Sequence, residues 1–153
     1  MRDNIPKTNE ELEQTVRSVV EWLRTDYPDT INSMVDVRFE SCSLEDNTVT
    51  LSFFADKWMS NPFWIMHGGA AATVIDIAMG ISVCAFGGMD KTSTENISVS
   101  YLRPAALGRR FFVRATVDKV GRTAAYARAE TWVDGSEDKL ASTATGVYYS
   151  AEM

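Results

Sequence analysis

Cysteine, histidine and proline are scarce in this chain: 153 residues carry two cysteines, one histidine and four prolines. Cys42 and Cys84 cannot build a disulfide scaffold, and with a lone histidine they argue against a structural zinc site. Four prolines and nine glycines leave no room for a low-complexity linker. Basic charge is also in short supply. Fifteen Lys and Arg against twenty-one Asp and Glu give a formal charge of -6, which argues against a nucleic-acid partner tracked by the whole surface. No apolar core follows Met1-Arg2-Asp3-Asn4-Ile5-Pro6, so no signal peptide is expected and a cytoplasmic location is. The longest stretch without formal charge, Trp58 to Ile75, has eighteen residues, but Asn61, Pro62, His67 and Gly68-Gly69 interrupt it. No membrane partner is expected from it. What remains is 45% hydrophobic and 10% aromatic, the composition and size of one soluble packed domain.

Periodicity divides the chain. Thr8 followed three residues later by Glu11 is a capping-box pattern, and Leu12, Val16, Val19, Val20 and Leu23 then fall at helical spacing up to Arg24. Tyr27-Pro28-Asp29 stops this helix, which is expected to pack on the outside of something larger. From Met34 the period changes to two. Val35, Val37 and Phe39 alternate with charged residues, as Val49, Leu51 and Phe53 alternate with Thr50 and Ser52, and Glu45-Asp46-Asn47 between them is turn chemistry. Strand patterning returns near residues 92–102, 109–120, 123–133 and 139–149, with turns at Gly121-Arg122 and Asp134-Gly135-Ser136. Tight turns imply antiparallel neighbours.

Between the two strand regions, His67 to about Phe86 is apolar on nearly every side, which predicts a buried helix. An antiparallel sheet curved around one central helix is the simplest α+β architecture that hides such a helix in so short a chain.

Two features of that helix could carry chemistry. Asp76 sits in its middle, where an unpaired carboxylate is costly to bury. It is either hydrogen-bonded to a neighbouring strand for structural reasons or retained for use. His67-Gly68-Gly69 stands at the helix entrance, where first-turn amides lack intrahelical partners and the dipole adds partial positive charge. Glycines there let a ligand oxygen come close, as a developing oxyanion would. The plainer alternative is a strand-to-helix bend capped by His67. Asn61, six residues upstream, is placed to order the same loop. Trp58, Phe63, Trp64 and Met66 cluster ahead of it and read first as core, second as the lining of a ligand pocket. Serine-histidine catalysis fits poorly, because Gly80-Ile-Ser82-Val-Cys84 lacks the closing glycine of a nucleophile elbow. Cys84 reads as packing rather than nucleophile.

The run from Asn61 through His67-Gly68-Gly69 to Asp76 and Gly80 resembles the signature of hotdog-fold acyl-CoA thioesterases, most closely the phenylacetate-pathway type. Thr94-Glu-Asn-Ile-Ser-Val-Ser-Tyr101-Leu-Arg103-Pro104, Gly108 and Val120-Gly121-Arg122 are similar to that family's following strand and turn. The resemblance spans about Trp58 to Tyr149. It implies a hotdog fold over residues 1–153 as a single domain, with 1–33 as an N-terminal helical extension and 34–150 as the core. It implies Asp76 as general base or nucleophile, and Gly68 as the amide that polarises the thioester carbonyl. Asn61 and His67 would shape the carbonyl loop, and Thr94 would help hold the water. Gly69 and Trp64 would adjoin the substrate. A homodimer, assembled further to a homotetramer, is likewise implied. The family usually has glycine three after the Asn, where this chain has Trp64.

The chemistry agrees with the residues. Thioester hydrolysis needs a polarised carbonyl and an activated water, and no metal or cofactor beyond the coenzyme A of the substrate. Between Arg103 and Arg128 seven basic residues face one acidic residue, +6 in a chain of -6, so the remainder carries -12. Such segregation suits an anionic nucleotide. Most of these side chains are expected simply to solvate an outer sheet face, with Arg110 and Arg114 alternating with inward Phe111, Val113 and Ala115. Arg103 and Arg122 are the better phosphate candidates. The expected function is therefore acyl-CoA hydrolysis, with a non-catalytic acyl-CoA or small-ligand binding protein of the same fold as the alternative. A dehydratase would need a second acid-base partner on the helix, which His67 at its mouth does not supply.

Overall fold

The computed structural model describes residues 4–150. Helix α1 (Asn9–Thr25) begins on Thr8, whose Oγ1 accepts the Glu11 amide at 3.1 Å. The reciprocal bond lands one residue early: Glu11 Oε2 accepts the Lys7 amide at 2.6 Å. Leu12, Val16 and Val20 are buried and Val19 and Leu23 half-buried, so the apolar stripe faces the core as the spacing predicts. The helix stops at Tyr27-Pro28-Asp29, where Tyr27 packs edge-on against Trp22 and Asp29 takes φ 64°. A single turn, α2 (Ile31–Met34), follows. Four residues are too few to show a period, so the sequence gives no sign of it.

Strands β1 (Val37–Ser43) and β2 (Thr48–Phe54) form the expected hairpin, turned at Asn47 with φ 55°. After the central helix α3 (Gly68–Gly87) come β3 (Ser93–Tyr101), β4 (Arg110–Val120), β5 (Ala124–Val133) and β6 (Ser142–Tyr149). All six strands join one antiparallel sheet in the order β1-β2-β4-β5-β6-β3. Gly121-Arg122 joins β4 to its neighbour β5, as the short turn requires. The pairs β2–β4 and β3–β6 skip in sequence because α3 crosses the sheet and delivers β3 to the far edge.

This is the hotdog fold, with α3 packed chiefly on β4 and touched also by β2, β3, β5, β6 and α1. Val74, Ile75, Ala78, Met79, Val83 and Ala85 are fully buried in a core that also holds Val49, Leu51, Phe53, Phe111 and Val113. Burial on every side, as the composition of α3 suggested, is not what the fold provides. Ala72, Thr73, Asp76, Ile77 and Gly80 form one half-buried face, because a six-stranded sheet of this length does not close around a helix. Asp76 lies on that open face.

The two edges of the sheet differ. α1 packs against β1. β3 is bonded to β6 alone, and Ser93, Thr94, Glu95, Asn96, Ser98, Ser100 and Tyr101 are exposed along it.

Candidate active site

The chain enters α3 through a 3-10 turn (Lys57–Met59) and a miniature hairpin in which Ser60 bridges Met66. Asn61 closes that hairpin. Its amide donates to the Ile65 carbonyl at 2.9 Å, its carbonyl accepts the Trp64 amide at 3.0 Å, and its Oδ1 accepts the Phe63 amide at 2.9 Å. Pro62 sits second in the turn, and Trp64 follows at φ 58°, the left-handed conformation usual for the residue that ends a three-residue hairpin loop. Glycine is the ordinary occupant of such a position. Trp64 thus departs from the expected glycine in side chain but keeps a glycine-like backbone.

The aromatic cluster is not core, which corrects the first reading of it. Phe63 is 81% exposed, Trp64 68% and Trp58 51%; only Met66 is buried. Phe63 and Trp64 project from the tip of the small hairpin and Trp58 from the 3-10 turn before it, away from the core. Lys57 Nζ lies 5.8 Å from the Trp64 ring centroid.

His67 caps α3. Its Nδ1 accepts the Gly69 amide at 2.9 Å, so in the neutral ring the proton sits on Nε2. The Gly69 N–H, expected beside the substrate, is therefore already engaged. The Gly68 amide finds no acceptor among the described residues. Tyr101 crosses the same turn, its hydroxyl donating to the Gly68 carbonyl at 2.5 Å. A Cβ on Gly68 would stand 3.2 Å from Tyr101 Cζ, so this glycine makes room for the ring. Partial burial pushes the Tyr101 phenol up from its ordinary value.

Two turns further along α3, Asp76 is held from two strands. Thr94 Oγ1 lies 2.9 Å from Oδ1 and 3.0 Å from Oδ2, and the Tyr148 hydroxyl donates to Oδ1 at 2.8 Å. Asp76 is hydrogen-bonded to neighbouring strands and is half-exposed. Strict alternation from Ile97 and Val99, which pack against the core, would turn Thr94 outward. A bulge between Thr94 and Asn96 resets the parity, and Thr94 faces Tyr148 directly across the ladder. Tyr148 was not singled out from the sequence, where a tyrosine in an alternating strand reads as core. Burial, then the adjacent Asp76 carboxylate, push its phenol far above the ordinary value, so it is a proton donor throughout the working pH range.

The basic segment resolves into two kinds. Arg110 pairs with Asp36, Arg114 with Glu130 and Glu137, and Arg128 with Asp118, so these solvate and brace the outer face as expected. Burial lowers Arg110 from its ordinary value against the support of Asp36. Arg103 donates through Nη1 to the Leu140 carbonyl at 2.9 Å, and Arg122 is exposed in the β4–β5 turn. Cys84 is buried, its thiol pushed up to about 12 by desolvation and then by Asp90, and Ser82 donates to the Ala78 carbonyl. Neither is a nucleophile.

The structure thus assembles two groups, Asn61 with His67 and Gly68, and Asp76 with Thr94 and Tyr148. They are eight residues apart on one helix, roughly 12 Å along its axis. The two candidate arginines are farther apart still. Tyr101, two residues before Arg103, touches Gly68, while Val120, two before Arg122, packs at Gly87. Those glycines are the first and last residues of α3.

A six-stranded antiparallel sheet wrapped on one long helix defines a hotdog protein. The chain belongs to the thioesterase superfamily, whose family model matches residues 63–139. Among solved structures it is similar to a putative thioesterase related to phenylacetic acid degradation from Ralstonia eutropha JMP134. That protein is 26% identical, with 86% of this chain and 98% of that one covered and a TM-score of 0.71. Zebra fish thioesterase superfamily member 2 is 20% identical over 95% of this chain and 100% of that one, with a TM-score of 0.73. A hypothetical thioesterase from Streptococcus pneumoniae TIGR4, solved with coenzyme A, is 20% identical over 74% and 87%, at 0.64.

Proposed function

We propose that the protein hydrolyses an acyl-CoA thioester to the free acid and coenzyme A at a site shared by two copies of the chain. The observation that carries this reading is the Asp76 carboxylate, half-open to solvent and fixed by Thr94 and Tyr148. In this reading Asp76 Oδ2 takes a proton from a water seated against Thr94. The water oxygen attacks the thioester carbon, whose oxygen gathers charge against the Gly68 amide at the positive end of α3. Collapse expels the coenzyme A sulfur, and the proton on Asp76 passes to it. Asn61 and His67 act by holding the loop and the first helical turn. The coenzyme A bound by the Streptococcus pneumoniae neighbour supports a substrate of that kind.

Two copies are invoked on geometric grounds. Gly68 and Asp76 of one chain are roughly 12 Å apart along the axis, too far for a carbonyl on the Gly68 amide to have its attacking water on Asp76 of the same chain. Antiparallel α3 helices about a two-fold axis would bring each Gly68 to the other copy's Asp76. The same operation would bring Arg103 of one copy toward Arg122 of the other, next to one phosphate-bearing ligand. The bare edge of β3 is the natural surface for this pairing.

A panel of acyl-CoAs assayed for free-thiol release tests the activity; no release with any acyl group would leave the binding-protein alternative, which the bulky Trp64 at the mouth favours. Mixing Asn61→Ala with Asp76→Asn under subunit exchange tests the sharing. Half of the dimers are then mixed and each holds one intact site, so about a quarter of wild-type activity should return. Background activity after confirmed exchange would place both groups in one chain.

A further inference from the structure

We infer that Tyr148 is a positioning residue for hydrolysis, fixing the Asp76 carboxylate so that Oδ2 alone faces the water. This rests on the hydrolytic reading of Asp76 above and adds to it a residue which neither the sequence signature nor the family match marks out.

The hydroxyl of Tyr148 donates to Asp76 Oδ1 at 2.8 Å and lies 3.3 Å from the Asp76 carbonyl. Thr94 has only one proton to give, and its oxygen is nearly equidistant from the two carboxylate oxygens. Thr94 alone would therefore leave the carboxylate free to turn about its last side-chain bond. With Tyr148 on Oδ1 that rotation is stopped. The Thr94 proton can then serve either oxygen while its lone pairs accept from the water.

The seat of the tyrosine is built for it. The side chain is 1% exposed. A Cβ on Gly146 would come within 2.7 Å of Tyr148 Cε2, so glycine at that strand position is what admits the ring. Glycine inside a strand weakens it, and a close approach of this kind is its usual reason. Elsewhere around Asp76 the packing is apolar: Phe111, Val113 and Ala115 from β4, and Ala125, Ala127 and Ala129 from β5, fill the core beneath α3. α3 has no second ionisable residue between His67 and Cys84. No other described side chain donates to the carboxylate.

The test is Tyr148→Phe, assayed beside Asp76→Asn with an acyl-CoA that the wild type hydrolyses. Loss of one hydrogen bond to a charged group predicts a fall in kcat of roughly 10- to 100-fold, with KM within twofold. Hydroxylamine, a stronger nucleophile that does not depend on the base, should restore acyl transfer in the variant above the rate measured without protein, yielding the acyl hydroxamate and free coenzyme A. A packing role would lower kcat without that rescue. Should the Phe variant not fold, 4-fluorophenylalanine at 148 fills the hydroxyl's space without a proton and is read the same way. Full kcat in a folded variant, or a loss that hydroxylamine does not restore, overturns the role of Tyr148 while an inactive Asp76→Asn leaves the hydrolytic reading standing. An active Asp76→Asn overturns both.

Discussion

The middle of α3 and its entrance are built on opposite terms. Around Asp76 the chain supplies everything: hydroxyls from two strands, an apolar bed and a glycine notch for the tyrosine ring. At the entrance it supplies a helix amide with no acceptor among the described residues, reached through a hairpin whose aromatic side chains are exposed. A group that must hold one geometry through each turnover is finished within the chain. On the proposed reading, the group that must receive a ligand is the one left open. On the hydrolytic reading proposed above, one helix carries both halves of the reaction without bringing them together.

The largest test of this contrast is Asp76→Asn. It keeps the size and accepting oxygen of the side chain, so melting temperature should stay near wild type while turnover falls by roughly 10²- to 10⁴-fold. Unaltered turnover would mean that the finished half is only structural. The open half is sharpened by Arg103→Ala and Arg122→Ala. Each should raise KM for acyl-CoA by about tenfold through loss of a phosphate contact, and leave a truncated acyl thioester lacking the nucleotide unaffected. Equal effects on both substrates would return these arginines to the solvated face.

Alkaline titration probes the enclosed half by stability. Burial raises both Tyr148 and Cys84 in the folded chain, Cys84 to about 12 from an ordinary 9.0. The unfolded chain releases these protons first as pH rises, so the stabilisation is complete below about pH 9 and is lost progressively through pH 12. Urea midpoints at pH 8 and pH 10.5 should show the drop, and Tyr148→Phe should make it shallower. The smallest effect is expected of Trp64→Gly. Relief of the left-handed backbone and the greater freedom of the unfolded chain oppose each other, leaving stability within about 1 kcal/mol of wild type by urea denaturation. Acyl preference, measured on the same panel, should change more than stability does.

Much of this was readable from residue order. The capping pair at Thr8 and Glu11, the apolar run of α3 and the alternation of the strands each led to the element found, because local spacing determines them. Asp76 stood out as a charge amid apolar neighbours. What could not be read depends on contacts between distant segments. The place of β3 beside β6 follows from where α3 carries the chain, not from any local pattern. Thr94 was matched through its family motif, but its inward direction depends on the bulge beside it, which alternation alone would misplace. Tyr148 gained its role only when a helix residue 72 positions earlier came within reach. The aromatic hairpin was misjudged because hydrophobicity says nothing of whether a partner surface exists.

The hairpin before α3 divides its tasks between two residues. Asn61 dictates the turn with its own amide, carbonyl and side chain, and residue 64 follows the backbone path laid down for it. The shape of the loop and the bulk at its mouth are thus encoded at separate positions. A smaller group in place of the indole at 64 leaves every hydrogen bond that Asn61 makes to the turn in place. On the proposed reading, selectivity is then free to drift while the catalytic frame is inherited unchanged.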